Sequence, residues 1–153
     1  MLKRLRDAKA DVATMRRLFP AAERIARAGG RAEPAADDLL LAALDLPDAT
    51  ARTALADCGV EPPALRAALE EVRGRPTPAL PDDPTGPYRA EPSMRMTFHH
   101  AVAVAKARRS PVRSGDLLLA AIDPADGVVA RALAVLSVDP DVLAAATRRR
   151  LDG

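Results

Sequence analysis

Cys58, the pair His99-His100 and four aspartates, Asp37, Asp38, Asp45 and Asp48, are the side chains best suited to chemistry in this sequence. Neighbouring histidines on a helix point about 100° apart, so His99 and His100 do not readily share one metal ion. A structural zinc site asks for four donors, and Cys58 is the only further soft ligand. One histidine is expected to pack beside Phe98 and the other to meet solvent. Hydrolysis of a nucleotide at a P-loop needs a glycine-rich turn followed by Lys-Ser or Lys-Thr. None of Lys3, Lys9 and Lys106 has that neighbour. No catalytic residue, metal site or cofactor is expected, and the chain does not look like an enzyme. The aspartates fall at expected helix starts and ends, where a carboxylate near the N-terminus stabilises the helix. Asp37 and Asp38 are also candidates for recognising a cationic, arginine-like group, because an arginine–carboxylate pair is bidentate and directional.

The elements that must hold these residues occur twice. Asp38-Leu39-Leu40-Leu41-Ala42-Ala43-Leu44-Asp45 returns as Asp116-Leu117-Leu118-Leu119-Ala120-Ala121-Ile122-Asp123, a spacing of 116 − 38 = 78 residues. The match continues without a gap through Leu55 and Leu133, Val60 and Val138, Pro62 and Pro140, and Leu65 and Leu143. Upstream, Phe19, Ala22, Ile25 and Ala26 answer Phe98, Ala101, Val104 and Ala105 with one residue of slippage. A duplication of this length decides the architecture before any helix is placed. Cys58 aligns with Leu136, so its thiol is expected to serve as a small buried apolar group and not as a nucleophile.

Apolar residues make up 48% of the 153-residue chain and aromatics only 2%, so the core must be built from Leu, Ala and Val. Leu and Ala favour helix, and no run alternates with the period of a strand. The chain is expected to be all-α. A formal charge of +2 lacks the concentrated excess of a dedicated DNA-binding domain. One cysteine, a charged N-terminus and no long apolar run suit a cytoplasmic protein without a membrane span.

Along the chain, Leu5, Ala8, Val12 and Met15 lay an apolar stripe on a helix over residues 3–18. Pro20 is expected to break it and to open a second helix that Gly29-Gly30 end. Each repeat then reads as a helix beginning near its Phe, a short loop, the Leu-Leu-Leu helix, a third helix, and a fourth opened by Pro62 or Pro140. The third helices are expected over residues 48–57 and 126–136. Gly59 suits a C-terminal cap and Ser114 an N-cap. Residues 74–92 carry six prolines and read as an extended linker, with Tyr88 docking on the surface. The division expected is an N-terminal helix (1–18), repeat one (19–73), linker (74–92) and repeat two (93–153) in one domain. Arg148-Arg149-Arg150 complement the dipole of the last helix.

This order resembles the double repeat of the Clp N-terminal domain, the substrate- and adaptor-docking module of the Clp AAA+ unfoldases. It covers residues 19–151, and its most specific parts are the two Asp-Leu-Leu-Leu-Ala-Ala segments and Val129–Val138. The resemblance implies two pseudo-symmetric four-helix units that hold proteins or peptides and do no chemistry, with protein, peptide or cyclic-peptide ligands. Some members of that family bind phosphorylated arginine through a glutamate ahead of the leucine run. Here Asp37 takes that position with a shorter arm and Gly115 removes the carboxylate from the second copy, which argues against phosphoarginine. Without an ATPase module, the chain is expected to be a free-standing relative or a fragment of a longer protein. The reading is a non-catalytic peptide- or adaptor-binding accessory, regulator or ligand-sequestering relative of the Clp system, with Phe19, Asp37, Asp38, Phe98, Ser114 and Asp116 as its binding residues. The competing reading is a nucleic-acid-associated regulator that uses the Arg-rich N-terminal helix and Arg148–Arg150.

Overall fold

The computed structural model describes residues 1–74, 78–81 and 88–153. Among these, eight α-helices and no strand form: α1 (Leu2–Ala28), α2 (Ala36–Ala43), α3 (Thr50–Asp57), α4 (Pro62–Arg73), α5 (Pro92–Ala107), α6 (Ser114–Ile122), α7 (Val128–Val135) and α8 (Pro140–Asp152). The all-helical expectation holds. The 78-residue spacing maps α2 onto α6, α3 onto α7 and α4 onto α8, each start falling on its counterpart.

The leucine-rich helices lie at the centre. Every residue from Asp37 to Ala43 in α2 is buried, as is nearly all of α6. A helix apolar on all sides belongs in an interior, and α2 packs directly on α6. The outer helices then cross between repeats: α4 packs on α7 and α8 packs on α3. One core cluster accordingly draws Leu40, Leu55 and Leu65 from the first repeat and Leu118, Leu133 and Leu143 from the second. Fully burying one such leucine stabilises the fold by about 1.5–3 kcal/mol.

The turns repeat as well. Gly59 and Ser137, one period apart, both have positive φ, at 76° and 58°. After each, an amide reaches back across the helix end, Val60 N to Leu55 O and Val138 N to Leu133 O, both at 2.9 Å. That is the C-terminal cap expected at Gly59. In the second copy a serine accepts the left-handed backbone that glycine takes without strain.

Three expectations about helix starts are corrected. Pro20 neither breaks α1 nor opens a new helix: residues 2–28 run as one helix with Pro20 inside it. Pro20 sits on the exposed side, so the carbonyl it leaves without an amide can turn to water, while Leu18, Ala22 and Ala26 anchor the opposite face. The first helix of each repeat also does not begin near its Phe. Helix α5 opens at Pro92, six positions before Phe98, and the repeat places Pro92 opposite Ala13. The N-terminal segment is thus a forward extension of α1, whose Leu2 and Leu5 stay exposed. The third helices are shorter than expected, starting at Thr50 and Val128.

Tyr88 docks as expected. Its ring stacks on Phe19 at 5.8 Å and its hydroxyl donates to the Phe19 carbonyl at 2.9 Å. Burial pushes the phenol above its ordinary range. The linker residues 75–77 and 82–87 lie outside the described residues.

Candidate functional site

A cavity of about 440 Å³ opens on the first repeat, where the end of α1, the start of α2 and one face of α4 converge. Its floor is apolar, formed by Ile25, Leu41 and Leu69. Helical spacing explains the wall: Arg66, Leu69, Glu70 and Arg73 recur at three and four residues, so α4 presents them on one side. Arg31 enters from the loop after α1, and Asp37 and Asp38 from the first turn of α2.

Both aspartates are already engaged. Asp38 receives the fork of Arg31, with both contacts at 2.6 Å, and its Oδ2 also accepts from the Ala35 amide at 2.8 Å. Asp37 receives the fork of Arg73 from the end of α4, Nε to Oδ2 at 2.7 Å and Nη2 to Oδ1. The hydrogen bond to Asp37 raises the Arg73 guanidinium above its ordinary range, against the opposing effect of burial. The carboxylates are 0% and 3% exposed, whereas each arginine side chain keeps 25% of its surface open. Among the described residues the Arg66 side chain has no hydrogen-bond or ion-pair partner, and it lies exposed on the rim. The accessible polar surface is therefore rich in guanidinium donors, with Glu70 the one exposed carboxylate among the lining residues.

The second repeat handles the same positions differently. Asp116 repeats the role of Asp38, accepting from the Arg113 amide at 2.8 Å and from the fork of Arg108 at 2.7 and 2.9 Å. Opposite Asp37 and Arg73, however, stand Gly115 and Leu151. A Cβ on Gly115 would lie 2.9 Å from Leu151 Cδ2 and 2.9 Å from Thr50 Oγ1, so Leu151 is packed where a side chain at 115 would go. Ala144 stands in the place of Arg66 and Thr147 in that of Leu69. One ion pair of the first repeat has become one apolar contact of the second.

No protein-family model matches the chain, and no curated protein does. Among solved structures it matches the crystal structure of the N-terminal domain of the caseinolytic protease associated chaperone ClpD from Arabidopsis thaliana. The TM-score is 0.68 at 17% identity, over 92% of this chain and 93% of that one. The fold is the Clp N-domain fold. At that identity the likeness is one of architecture, and the side chains of the site have to be argued from this chain alone.

Within this Clp N-domain fold, the residues expected to bind separate into three places. Asp37 and Asp38 line the cavity. Phe19 and Phe98 meet edge to face at 5.3 Å in another cluster, with Tyr88 stacked on Phe19. Ser114 and Asp116 are fully buried, each held by the chain's own partners. Ser114 is not the N-cap of its own helix, because Arg113 occupies that position. Its hydroxyl instead accepts from the Ala51 amide of α3 at 3.0 Å and donates to Asp48 at 2.8 Å, joining the repeats. Asp48 also accepts from the amides of Thr50 and Ser114.

The residues not foreseen are Arg31, Arg66 and Arg73. A signal for one was present: Arg73 and Asp37 differ together from Leu151 and Gly115 at a fixed spacing. Of the other candidates, His99 and His100 are both exposed, so the expectation of one packed beside Phe98 fails. His100 Nδ1 lies 4.0 Å from Asp123. Cys58 is half-buried against the core and not fully buried. Arg150 is forked onto Asp57 at 2.7 Å. Among the described residues no helix is long and apolar enough to cross a membrane, and no cluster of metal ligands occurs.

Proposed function

We propose that this chain is a non-catalytic docking domain that binds peptides or unfolded protein segments, acting as an accessory or ligand-sequestering partner of a Clp-type chaperone–protease system. The observation that carries this reading is the first-repeat cavity. It combines an apolar floor with arginines held in place by buried aspartates, on a fold shared with the N-terminal domain of a protease-associated chaperone. A site of this size takes a side chain or two and their backbone, and pre-set donors lower the ordering cost of binding.

An array of overlapping peptides from a permanently unfolded protein tests it. Ala28 is exposed at the cavity's edge, so Ala28→Trp blocks the opening without disturbing the core. The expected result is retention of a subset of peptides by the parent protein and loss of at least about tenfold in affinity with Ala28→Trp. Equal retention by both proteins would place binding elsewhere and contradict the reading.

A further inference from the structure

Resting on that peptide-docking reading, we infer that the cavity selects a carboxylate carried next to an apolar side chain, namely the free C-terminus of a polypeptide whose last residue is apolar. Four observations lead there. Two buried carboxylates line the cavity, Asp37 and Asp38, and each is covered by a forked arginine of the chain itself. A cationic ligand would have to displace Arg73 or Arg31 from a bidentate bond before reaching either of them. A forked guanidinium spends two of its five N–H groups on its aspartate and keeps the rest for a second acceptor. Both arginines retain a quarter of their side-chain surface, which leaves guanidinium surface open to a ligand.

Arg66 completes the set. Its side chain is exposed on the rim, carries a full charge and has no partner among the described residues. Glu70, one turn further along α4, is the single exposed carboxylate among the lining residues and leaves the arginines in excess at the opening. Arginine in a pre-set fork recognises a planar carboxylate with direction as well as charge. Beneath the arginines Ile25, Leu41 and Leu69 form an apolar bed, and the buried carboxylates beside it, Asp37 and Asp38, are already engaged by Arg73 and Arg31. The ligand's apolar part therefore lies inward and its anion outward. A C-terminal apolar residue has that arrangement, its side chain and carboxylate branching from one carbon. An acidic side chain inside a polypeptide has the anion at the tip and would carry it toward the apolar bed.

The same reasoning places the preference in one repeat alone. In the second copy Leu151 and Gly115 replace the Arg73–Asp37 pair, and Ala144 replaces Arg66.

The test is fluorescence polarisation with a labelled peptide ending in Leu-Leu, prepared as the free acid and as the C-terminal amide. The free acid is expected to bind about tenfold or more tightly than the amide, as loss of a charge-assisted hydrogen bond predicts. Arg66→Ala, an exposed change that leaves the core intact, is expected to remove most of that difference while the amide binds as before. A third peptide, amidated and carrying an internal Glu, is expected to match the plain amide. Equal affinity for acid and amide would overturn the carboxylate inference and leave peptide docking standing. Tight binding of the internal-Glu peptide would overturn the C-terminal assignment. Failure of all three to bind, with array peptides still retained in a manner sensitive to Ala28→Trp, would overturn the inference alone. Failure of the array as well would overturn both readings.

Discussion

Asp48 shows how far one side chain can be committed without being deeply buried. Burial raises its pKa, yet the hydrogen bonds from Thr50 and Ser114 outweigh that and hold the carboxyl below the ordinary 3.8. A carboxyl lowered by folding contributes stability that is present above its unfolded pKa and is lost as pH falls through the folded value. Thermal unfolding followed from about pH 5 down to about pH 2 is therefore expected to fall more steeply for the parent than for Asp48→Asn. Parallel profiles would show that Asp48 does not tie the repeats together. At neutral pH the same substitution is expected to cost about 1–3 kcal/mol in urea unfolding. Gly115 makes the complementary case. With Leu151 and Thr50 at 2.9 Å from a built Cβ, Gly115→Ala is expected to lower stability by about 1–3 kcal/mol. An unchanged urea midpoint would mean that Leu151 moves aside freely.

Helix α1 is the element where local sequence rules and tertiary packing compete most openly. An interior proline costs a helix about 3 kcal/mol relative to alanine, and the sequence alone therefore argues for a break at Pro20. Packing of Leu18 and Ala22 on one side and water on the other keeps the helix continuous. Pro20→Ala is accordingly expected to stabilise the protein by about 1–3 kcal/mol, read as a rise in thermal midpoint. A fall would mean that the proline's own contacts hold this turn. The remaining helices were legible because Leu39-Leu40-Leu41 and its copy fix a period, and Pro62 and Pro140 mark matching starts. The cavity was less so. Asp37 and Asp38 stood out as acidic residues at a helix start, but their partners Arg73 and Arg31 are not marked by helical periodicity. Which of the chain's many arginines would fold back onto a buried carboxylate is a tertiary outcome, set by where α4 ends and how the loop after α1 turns.

At the level of the whole molecule, the crossing of outer helices binds the repeats into one unit. With α4 packed on α7 and α8 on α3, neither repeat completes a core alone. Urea unfolding followed by helical signal and by the Tyr88 environment is expected to give coincident single transitions; two separated transitions would contradict the interlocked core. On this symmetric frame the two repeats have diverged in chemistry. One keeps an arginine-rimmed cavity, and the other fills the matching place with Leu151. Whether the first repeat is the peptide-docking face is read residue by residue from amide chemical-shift mapping during titration with an array-selected peptide. Saturable shifts are expected at Ile25, Ala28, Arg66 and Leu69, with their counterparts Val104, Ala107, Ala144 and Thr147 unmoved. Shifts centred on the second repeat, or none at any concentration that the array shows to bind, would contradict docking at the first repeat.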